Sequence, residues 1–393
     1  MNFLLFVGAC VGHTALLVFL LSRWYALPLP RKMLSGFRAL VALAVVGGPL
    51  WLCIAFGLDV VHAWRSGPAL AAYLSMCWII GLAVVPGVTI LRLLRKRPQA
   101  LLSNHTHTLD VARELGYKPI GRGKYRHLAR LPGNEVFQVD FAERSLRIPD
   151  LPPAWDGLTI LHLSDLHLAA SPDRIFYQRV MDECRAWEPD LVALTGDLVD
   201  SDYHRRWIVP LLGRLRWRIA AFAVLGNHDY WHEPPLIRRR LRRLNIHVLP
   251  NTWKQIDVRG LPMVVIGHEG PWFRPGPDLS NCPPSRPSPS PPRGEGGVRG
   301  VFRLCLSHTP DNIGWARANN IRLMLSGHNH GGQIRFPIVG SVFVPSLYGR
   351  RYDCGPFEEP PTLLHVSRGL SGKQPLRFNC RPEVAKLVLR TAK

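Results

Sequence analysis

Three long stretches near the start of the chain carry no charged residue, and they restrict the fold more than any other feature. The charge-free stretches are residues 2–22, 39–58 and 66–91. Each is long enough to cross a bilayer core, which takes ~20 apolar residues as a helix. Pro49 and Pro86 would kink the second and third helices, which a helical bundle tolerates. The sequence therefore predicts an α-helical transmembrane bundle of three spans in residues 1–98.

A cleaved signal peptide is the alternative for the first stretch. However, Met1-Asn2 provides no basic n-region, and the apolar run is longer than an h-region. A retained anchor is therefore the favoured interpretation of this stretch.

Basic residues beside these stretches predict the orientation of the bundle. Most of them lie between the first and second stretches or directly after the third. A single one lies between the second and third stretches. These residues are Arg23, Arg31, Lys32 and Arg38, then Arg65, then Arg92, Arg95, Lys96 and Arg97. The positive-inside rule places the first loop and everything after Leu91 in the cytoplasm. We therefore expect an integral inner (cytoplasmic) membrane protein with its N-terminus outside and its remaining residues in the cytoplasm.

The eight cysteines and the net charge of +21 bear on compartment and partners. The cysteines after the anchor form no C-x-x-C pair, which favours a reducing compartment over a disulfide framework or a thiolate metal site. The positive charge fits either nucleic acid or an anionic membrane surface. Arginines concentrated between Arg238 and Arg243, together with the charged flanks, favour the lipid bilayer and its anionic surface over nucleic acid.

Residues 99–134 are polar and basic and show no long apolar period. The sequence predicts a juxtamembrane connector here, with one short helix near residues 109–115. His105 and His107 form an H-x-H pattern within it. No predicted strand precedes this pattern and no Asp accompanies it, which indicates surface histidines rather than metal ligands.

Residues 135–393 are predicted to form a separate globular domain. Alternating residues over 136–140 and 146–148 predict two opening strands. Short apolar runs then alternate with polar or helical stretches. The runs are residues 158–163, 191–194, 221–225, 263–266, 301–306 and 322–325. This alternation predicts α/β layers with functional residues beyond the carboxyl ends of strands.

One segment of this domain departs from the alternating pattern. Residues 279–300 consist mainly of Pro, Ser and Gly, a composition that cannot bury enough apolar surface to fold. We expect a disordered surface insertion here. A proline-rich ligand for a partner domain is the alternative.

Five short polar motifs in the globular domain each follow an apolar run. They are Asp165-Leu166-His167, Gly196-Asp197-Leu198-Val199-Asp200, Gly226-Asn227-His228-Asp229, Ser307-His308 and Gly327-His328-Asn329-His330. Their carboxylate, amide and imidazole donors suit a pair of borderline divalent metal ions. A two-metal centre with such ligands points to hydrolysis of a phosphate ester or anhydride.

In their order and spacing, the motifs resemble those of the calcineurin-like metallophosphoesterases, whose pattern is D-x-H, G-D-x-x-D, G-N-H-D/E, H and G-H-x-H. The resemblance extends over residues 158–393 and implies a four-layer αββα sandwich for the α/β domain. His330-Gly331-Gly332-Gln333-Ile334 and Val366-Ser367-Arg368-Gly369-Leu370 are similar to a bacterial branch of membrane-tethered phosphodiesterases. That branch also resembles some UDP-2,3-diacylglucosamine pyrophosphatases.

The resemblance implies a ligand set for two divalent metal ions. One ion would be bound by Asp165, His167, Asp197 and His330, and the other by Asp197, Asn227, His308 and His328. Asp197 would bridge them, because a shared carboxylate offers two oxygens to ions ~4 Å apart. Mn²⁺ is the favoured metal, and Fe²⁺/Fe³⁺ or Zn²⁺ are the alternatives.

The resemblance also implies catalytic roles. His228 would donate a proton to the leaving oxygen, and Asp229 would orient it through the other ring nitrogen. Asp200 would brace the loop that carries Asp197 through hydrogen bonds. No residue is identified as substrate-binding.

The sequence therefore predicts a membrane-anchored dinuclear-metal phosphoesterase. It would hydrolyse a phosphodiester or pyrophosphate of a lipid, a nucleotide-lipid or a phosphorylated small molecule by metal-activated hydroxide. A metal-dependent nuclease is the alternative, disfavoured because nucleic acid would have to come to the membrane. A non-catalytic membrane scaffold is the further alternative, and the complete ligand set with His228 disfavours it.

Overall fold

The computed structural model describes residues 2–285 and 300–391. The chain forms two compact units. The first unit comprises Met1–Lys96 and Phe336–Arg350, and the second comprises Arg97–Arg335 and Arg351–Lys393. The chain thus leaves the second unit late in its course to add one segment to the first.

The first unit contains three helices that are long and apolar enough to cross a membrane, as predicted. They are α1 (Asn2–Tyr25), α2 (Arg31–Phe56) and a third span (Pro68–Leu93) made of α4 (Pro68–Trp78), a π-helical turn (Ile79–Val84) and α5 (Val85–Leu93). A short helix, α3 (Val60–Arg65), separates the second span from the third. The π-helical turn comes just before Pro86, which cannot donate a backbone hydrogen bond. A wider turn therefore accommodates the proline within a continuous span.

Close packing and polar contacts join the three spans. A side chain on Gly12 of α1 would collide with the backbone carbonyl of Cys77 in α4, so only glycine permits this approach. His13 Nδ1 lies 2.6 Å from the Tyr73 hydroxyl, and its Nε2 lies 2.8 Å from the carbonyl oxygen of Ala44 in α2. Small residues and hydrogen bonds of this kind drive helix association in lipid.

The second unit is built on two sheets, of which the first has seven strands. These are β1 (Leu101–Asp110), β2 (Gln138–Ile148), β3 (Thr159–Leu163), β4 (Leu191–Thr195), β5 (Ala220–Val224), β6 (Ile246–Val248) and β15 (Glu383–Thr391). Their order is β1-β2-β15-β3-β4-β5-β6, with β3 to β6 mutually parallel. The central parallel strands are buried on both faces, which explains their continuous apolar sequences.

The second sheet has six strands. These are β7 (Trp253–Val258), β8 (Leu261–His268), β9 (Phe302–Ser307), β10 (Leu323–Ser326), β13 (Gly355–Glu359) and β14 (Thr362–Val366). Their order is β13-β14-β10-β9-β8-β7, with four parallel central strands and antiparallel edges. A separate ribbon pairs β11 (Arg335–Phe336) with β12 (Gly340–Ser341).

Helices cover the outer faces of both sheets. They are α6 (Val111–Leu115), α7 (Arg174–Arg185), α8 (Ile208–Leu212), α10 (Pro234–Arg242) and α11 (Ile313–Ala318). The single-turn helix α9 (Asn227–Tyr230) follows the carboxyl end of β5. One hydrophobic core joins α7, α8 and α10 to the first sheet, a second fills the space between the sheets, and a third joins α11 to the second sheet. The layers are therefore helix, sheet, sheet, helix, which confirms the predicted αββα sandwich.

The predicted connector at residues 99–134 is wrong for its first part. Leu101–Asp110 form the edge strand β1, which pairs antiparallel with β2. This strand was not predicted because its residues are mostly polar and show no alternation of apolar side chains. An edge strand can have such a sequence, since one of its faces can remain in water. His107 lies in this strand and stacks on Phe141 with 5.2 Å between ring centroids. The short helix predicted near residues 109–115 is present as α6.

The predicted disordered insertion at 279–300 is wrong for its described flanks. Leu279 packs against the core between α11 and the second sheet. The Val301 amide donates a hydrogen bond to the Pro284 carbonyl oxygen over 2.8 Å. These flanks are therefore part of the fold, and residues 286–299 lie outside the described part of the chain.

Candidate metal centre

The predicted ligands lie beyond the carboxyl ends of five strands. Asp165 and His167 follow β3, Asp197 follows β4, Asn227 follows β5, His308 follows β9, and His328 and His330 follow β10. Within each sheet these strands run parallel, so their carboxyl ends lie at one edge. This is where α/β sheets place their functional groups.

One group of donors comprises Asp165, His167, Asp197 and His330, whose ligand atoms all lie within 4.8 Å of one another. His167 Nε2 is 3.2 Å from His330 Nε2 and 3.6 Å from Asp197 Oδ2. His330 Nε2 is 3.5 Å from Asp165 Oδ1. Imidazole nitrogens converging with carboxylate oxygens in this way form a suitable pocket for a divalent cation.

A second group comprises Asp197, His308 and His328, again with ligand atoms within 4.8 Å of one another. His308 Nε2 lies 3.3 Å from Asp197 Oδ2, 3.0 Å from Asn227 Oδ1 and 3.2 Å from His328 Nδ1. Asp197 Oδ2 therefore faces both groups. The structure brings all seven predicted ligands together, and their arrangement fits two cations sharing Asp197.

The charges in the cluster favour cation binding. Burial lowers the pKa of His308, but Asp197 and Asp165 outweigh this effect and raise the pKa to about 9. Burial likewise lowers the pKa of His167, while Asp200 and the neighbouring carboxylates raise it to about 9. Burial raises the pKa of Asp197, yet His308 and His228 hold it well below its usual value. The buried carboxylates thus create a negative potential at the His167 and His308 rings, whereas burial and the neighbouring His167 lower the pKa of His330.

Left-handed backbone conformations position most of the ligands. The ligands with positive φ are Asp165 (54°), His167 (45°), Asp197 (53°), His328 (68°) and His330 (49°). Such conformations are uncommon for residues other than glycine and concentrate at functional sites. The turns after the strands therefore adopt a less stable backbone conformation that directs these side chains toward the candidate metal centre.

Two motif glycines allow the carboxylates to approach the neighbouring turns. A Cβ on Gly226 would collide with Asp197 Oδ1, and a Cβ on Gly327 would collide with Asp165 Oδ2. The glycines are thus required by the space that the ligands occupy. Any larger residue at either position would displace a carboxylate.

The structure corrects the predicted roles of the two remaining carboxylates. Asp229 does not contact His228 as expected; its Oδ1 accepts hydrogen bonds from the amides of Leu198 (2.9 Å) and Val199 (3.0 Å). Its Oδ2 accepts one from the Gly226 amide over 3.0 Å. Burial raises the pKa of Asp229 to about 7. Asp229, rather than Asp200, therefore braces the turn that carries Asp197.

Asp200 contacts two histidines at once. Its Oδ1 pairs with His228 Nδ1, and its Oδ2 lies 3.0 Å from His167 Nδ1. Both rings then present Nε2 to the centre, and His228 Nε2 lies 3.9 Å from Asp197 Oδ2. The His228 side chain is 22% exposed, so it lies at the accessible rim of the cluster. Asp200 thus has the orienting role that the sequence assigned to Asp229.

Other residues in the site were not found from the sequence. Arg377 is buried and donates to the carbonyl oxygens of His330 (3.1 Å) and Arg368 (2.8 Å). It thereby fixes the backbone of a candidate metal ligand. Arg377 lies in a loop without a motif, so no spacing signal could have identified it. Trp272 flanks the second group, with its ring 5.0 Å from that of His328.

Comparisons with known proteins agree with this geometry. A family model described as calcineurin-like phosphoesterase matches residues 158–332. The phosphodiesterase YaeI of Escherichia coli is 32% identical over 58% of this chain and 81% of that protein. The uncharacterized metallophosphoesterase YkuE of Bacillus subtilis is 27% identical over 65% of this chain and 87% of that protein.

A third relative also bears on the helical unit. The transmembrane protein with metallophosphoesterase domain of Bos taurus is 27% identical over 62% of this chain and 55% of that protein. The present chain likewise combines span-length helices with the α/β sandwich. Given the family match and the phosphodiesterase relative, this chain is a metal-dependent phosphoester hydrolase that belongs to the calcineurin-like phosphoesterase family.

Proposed function

We propose that this enzyme hydrolyses a phosphodiester or pyrophosphate in the head group of a membrane lipid or nucleotide-lipid. The observation that carries the proposal is the presence, in one chain, of two donor groups sharing Asp197 and of three helices long enough to cross a membrane. Membrane anchoring would confine the enzyme to the surface where lipid substrates are concentrated. The loop charges support an inner-membrane protein with its α/β unit in the cytoplasm.

Two divalent metal ions would complete the centre. One would be held by Asp165, His167, Asp197 and His330, and the other by Asp197, Asn227, His308 and His328. Mn²⁺ is the favoured ion, with Fe²⁺/Fe³⁺ or Zn²⁺ as alternatives, because mixed oxygen and imidazole donors suit all of them. When bound, such ions activate water as a nucleophile near neutral pH and offset charge on the phosphoryl oxygens.

His228 would supply the proton that the leaving oxygen needs. Its Nδ1 is held by Asp200, so a proton on Nε2 points toward the cluster. Its backbone amide also donates to Asp197 Oδ1 over 2.8 Å, which ties its position to the shared ligand. This arrangement supports the role of His228 as the general acid.

The basic helix α10 would add attraction to anionic lipid. Arg238 is unsuited to this role, because it forms an ion pair of 2.7 Å with the buried Glu269. Glu269 in turn accepts a hydrogen bond of 2.8 Å from the Leu225 amide, next to the Asn227 turn. Arg239, Arg240, Arg242 and Arg243 are left for the lipid surface, at about 1 kcal/mol per residue near the membrane.

The test is hydrolysis by the full-length, metal-loaded protein. A lipid phosphodiester in anionic vesicles should be turned over faster than bis-p-nitrophenyl phosphate, and both faster than nucleic acid. Glutamine at the four arginines should raise the KM for the vesicle substrate more than that for the soluble ester. Glutamine at Lys118, Arg122, Lys124 and Arg126 removes the same charge elsewhere on the α/β unit and serves as the control.

Three outcomes would contradict the proposal. Equal KM changes for the two substrates would exclude a lipid-docking role for α10. Faster cleavage of nucleic acid would favour the nuclease. Absence of turnover on any phosphoester would favour a scaffold.

A further inference from the structure

The segment Phe336–Arg350, here called the apolar excursion, exposes several large hydrophobic side chains. Ile338 is 70% exposed and Phe336 is 55% exposed, and Val342, Leu347 and Tyr348 are also exposed. In the described second unit, exposed large hydrophobic residues are scattered along the sequence. A cluster of this kind within one short segment marks an interaction surface.

The excursion contacts the ends of two spans within the first unit. The Phe343 ring packs edge-on against Tyr25, the last residue of α1, with 5.7 Å between centroids. The Ser341 hydroxyl oxygen accepts a hydrogen bond of 3.4 Å from Arg92 Nη1, at the end of the third span. Since α1 and the third span are separated by one returning span, their C-terminal ends lie at the same end of the bundle. The excursion therefore lies at the basic end of the helices.

Aromatic residues mark this end as the membrane–water interface. Trp24 of α1 stacks on Phe37 of α2 with centroids 4.1 Å apart. Together with Tyr25 and Phe343, they form an aromatic group beside the basic flanks. Belts of aromatic side chains next to basic residues are typical of the interfacial region.

Hydrogen bonds give the excursion a defined shape. Arg350 Nη1 donates to the carbonyl oxygens of Val339 (3.2 Å) and Ser341 (3.0 Å). Gly340, at a φ of 74°, begins β12 directly after the turn of residues 337–339 that joins it to β11. The exposed side chains are thus carried on a folded ribbon.

The excursion is also continuous in sequence with the metal-binding segment. It starts a few residues after His330. Its point of departure is fixed within the second unit, because Arg335 donates to the Gly331 carbonyl oxygen (3.0 Å) and to Asp353 Oδ2 (2.9 Å). Asp353 lies just after the excursion in sequence, so one ion pair joins the two chain segments that flank it.

We propose that the apolar excursion is a lipid-binding element, which inserts Phe336, Ile338 and Val342 among the acyl chains of the leaflet at the basic end of the helices. The proposal rests on the membrane anchoring in the proposed function and is independent of the substrate. Burial of these side chains in the acyl region gives the favourable free energy. The acyl chains of a phospholipid are the occupant, because the spans place this end of the bundle at a bilayer surface.

Photo-crosslinking of the full-length protein tests the proposal without using its activity. p-Benzoylphenylalanine replaces Ile338 or, in a second variant, Val342. The protein is reconstituted in nanodiscs of phosphatidylethanolamine and phosphatidylglycerol and irradiated. We expect phospholipid adducts at both positions by mass spectrometry. The matched control is the same replacement at Tyr117, an exposed side chain of the second unit. It should give adducts at least tenfold less often, a factor that corresponds roughly to the free energy of burying one apolar side chain.

Two results would overturn the proposal. Lipid adducts at position 338 or 342 no more frequent than at position 117 would show that the excursion does not enter the leaflet. Crosslinks to a second copy of the chain in place of lipid would identify the surface as a protein interface. Missing adducts with intact lipid hydrolysis would refute only this inference. Adducts without lipid hydrolysis would refute only the proposed function.

Discussion

Asp200 shows how one side chain can determine which ring nitrogen two histidines present to the centre. Its two carboxylate oxygens contact His167 and His228 through Nδ1, so both rings offer Nε2 to the centre. One of these histidines belongs to the donor group of a metal ion, and the other lies at the rim. In the proposed mechanism, metal affinity and proton donation would therefore depend on the same carboxylate.

Replacement of Asp200 by Asn should damage both functions. The amide offers one acceptor and one donor, so it cannot accept a proton from both rings. We expect metal affinity and kcat to fall together, each by roughly 10–100-fold, as is common when the partner of a ligand histidine is lost. Metal analysis and single-turnover kinetics measure the two effects. Asp202→Asn removes a nearby exposed carboxylate and is the control; a similar loss in both variants would disprove the special role of Asp200.

Some site residues could be predicted from the sequence and some could not. The ligands occur in short motifs after apolar runs, so strand ends and donor types together identified them. The partner of His228 could not be assigned this way, because Asp229 is its neighbour in the chain whereas Asp200, which contacts the ring, lies 28 residues earlier. Only the folded turns decide which carboxylate faces the ring. Arg377 donates hydrogen bonds to backbone carbonyl oxygens. Every residue has such a group, so these contacts require no particular sequence motif.

At the level of elements, buried parallel strands and amphipathic helices were the most predictable features. In α7, the side chains of Phe176, Val180 and Cys184 recur at helical spacing and are buried. The two strands expected at 136–140 and 146–148 are one long strand, β2, because its polar residues pair with β1 and β15. Side-chain pattern alone cannot detect that pairing.

A histidine pair between the two sheets predicts sensitivity to acid. His162 Nδ1 of β3 lies 3.0 Å from His365 Nδ1 of β14. His365 Nε2 accepts a hydrogen bond of 2.8 Å from Arg144, so His365 donates through Nδ1 to His162 and both rings are neutral. Burial lowers the pKa of His162 to about 3 and also lowers that of His365. The unfolded chain protonates these rings below about pH 6.5. Their stabilising contribution is therefore complete above that pH and is lost as the pH falls toward 3.

We expect the melting temperature of the full-length protein to fall between pH 6.5 and 4. His162→Gln should reduce this fall, because one neutral ring no longer has to resist protonation. Melting curves in detergent over this range measure the difference. His105→Gln, at an exposed position of β1, should retain the wild-type pH dependence. An unchanged slope in His162→Gln would contradict the prediction.

The flanks of the Pro-, Ser- and Gly-rich segment should contribute to stability. Deletion of residues 279–300 removes Leu279 from the third core and the hydrogen bond between Pro284 and Val301. We expect a lower melting temperature, consistent with a loss of about 1 kcal/mol for a partly buried apolar side chain. Deletion of residues 286–299 alone keeps these contacts and is the comparison. Equal melting temperatures for the two deletions would show that the flanks are dispensable.

At the scale of the whole molecule, the distribution of basic residues predicts the direction of the anchor. A fluorescent reporter that folds only in the cytoplasm should be active when fused after Lys96. Alkaline phosphatase, which requires the periplasm, should be inactive there and active when fused after Arg65. The opposite pattern would reverse the orientation and place the metal centre outside.

The left-handed ligand turns limit how far this chemistry can be moved to another protein. Each such turn costs of order 1–3 kcal/mol and persists only where surrounding packing enforces it. Several together are comparable with the net stability of a domain. The same motifs grafted onto an unrelated sheet would relax toward ordinary backbone angles and turn their side chains away. The transferable unit is therefore the sandwich with its turns, and an engineer would have to transplant both.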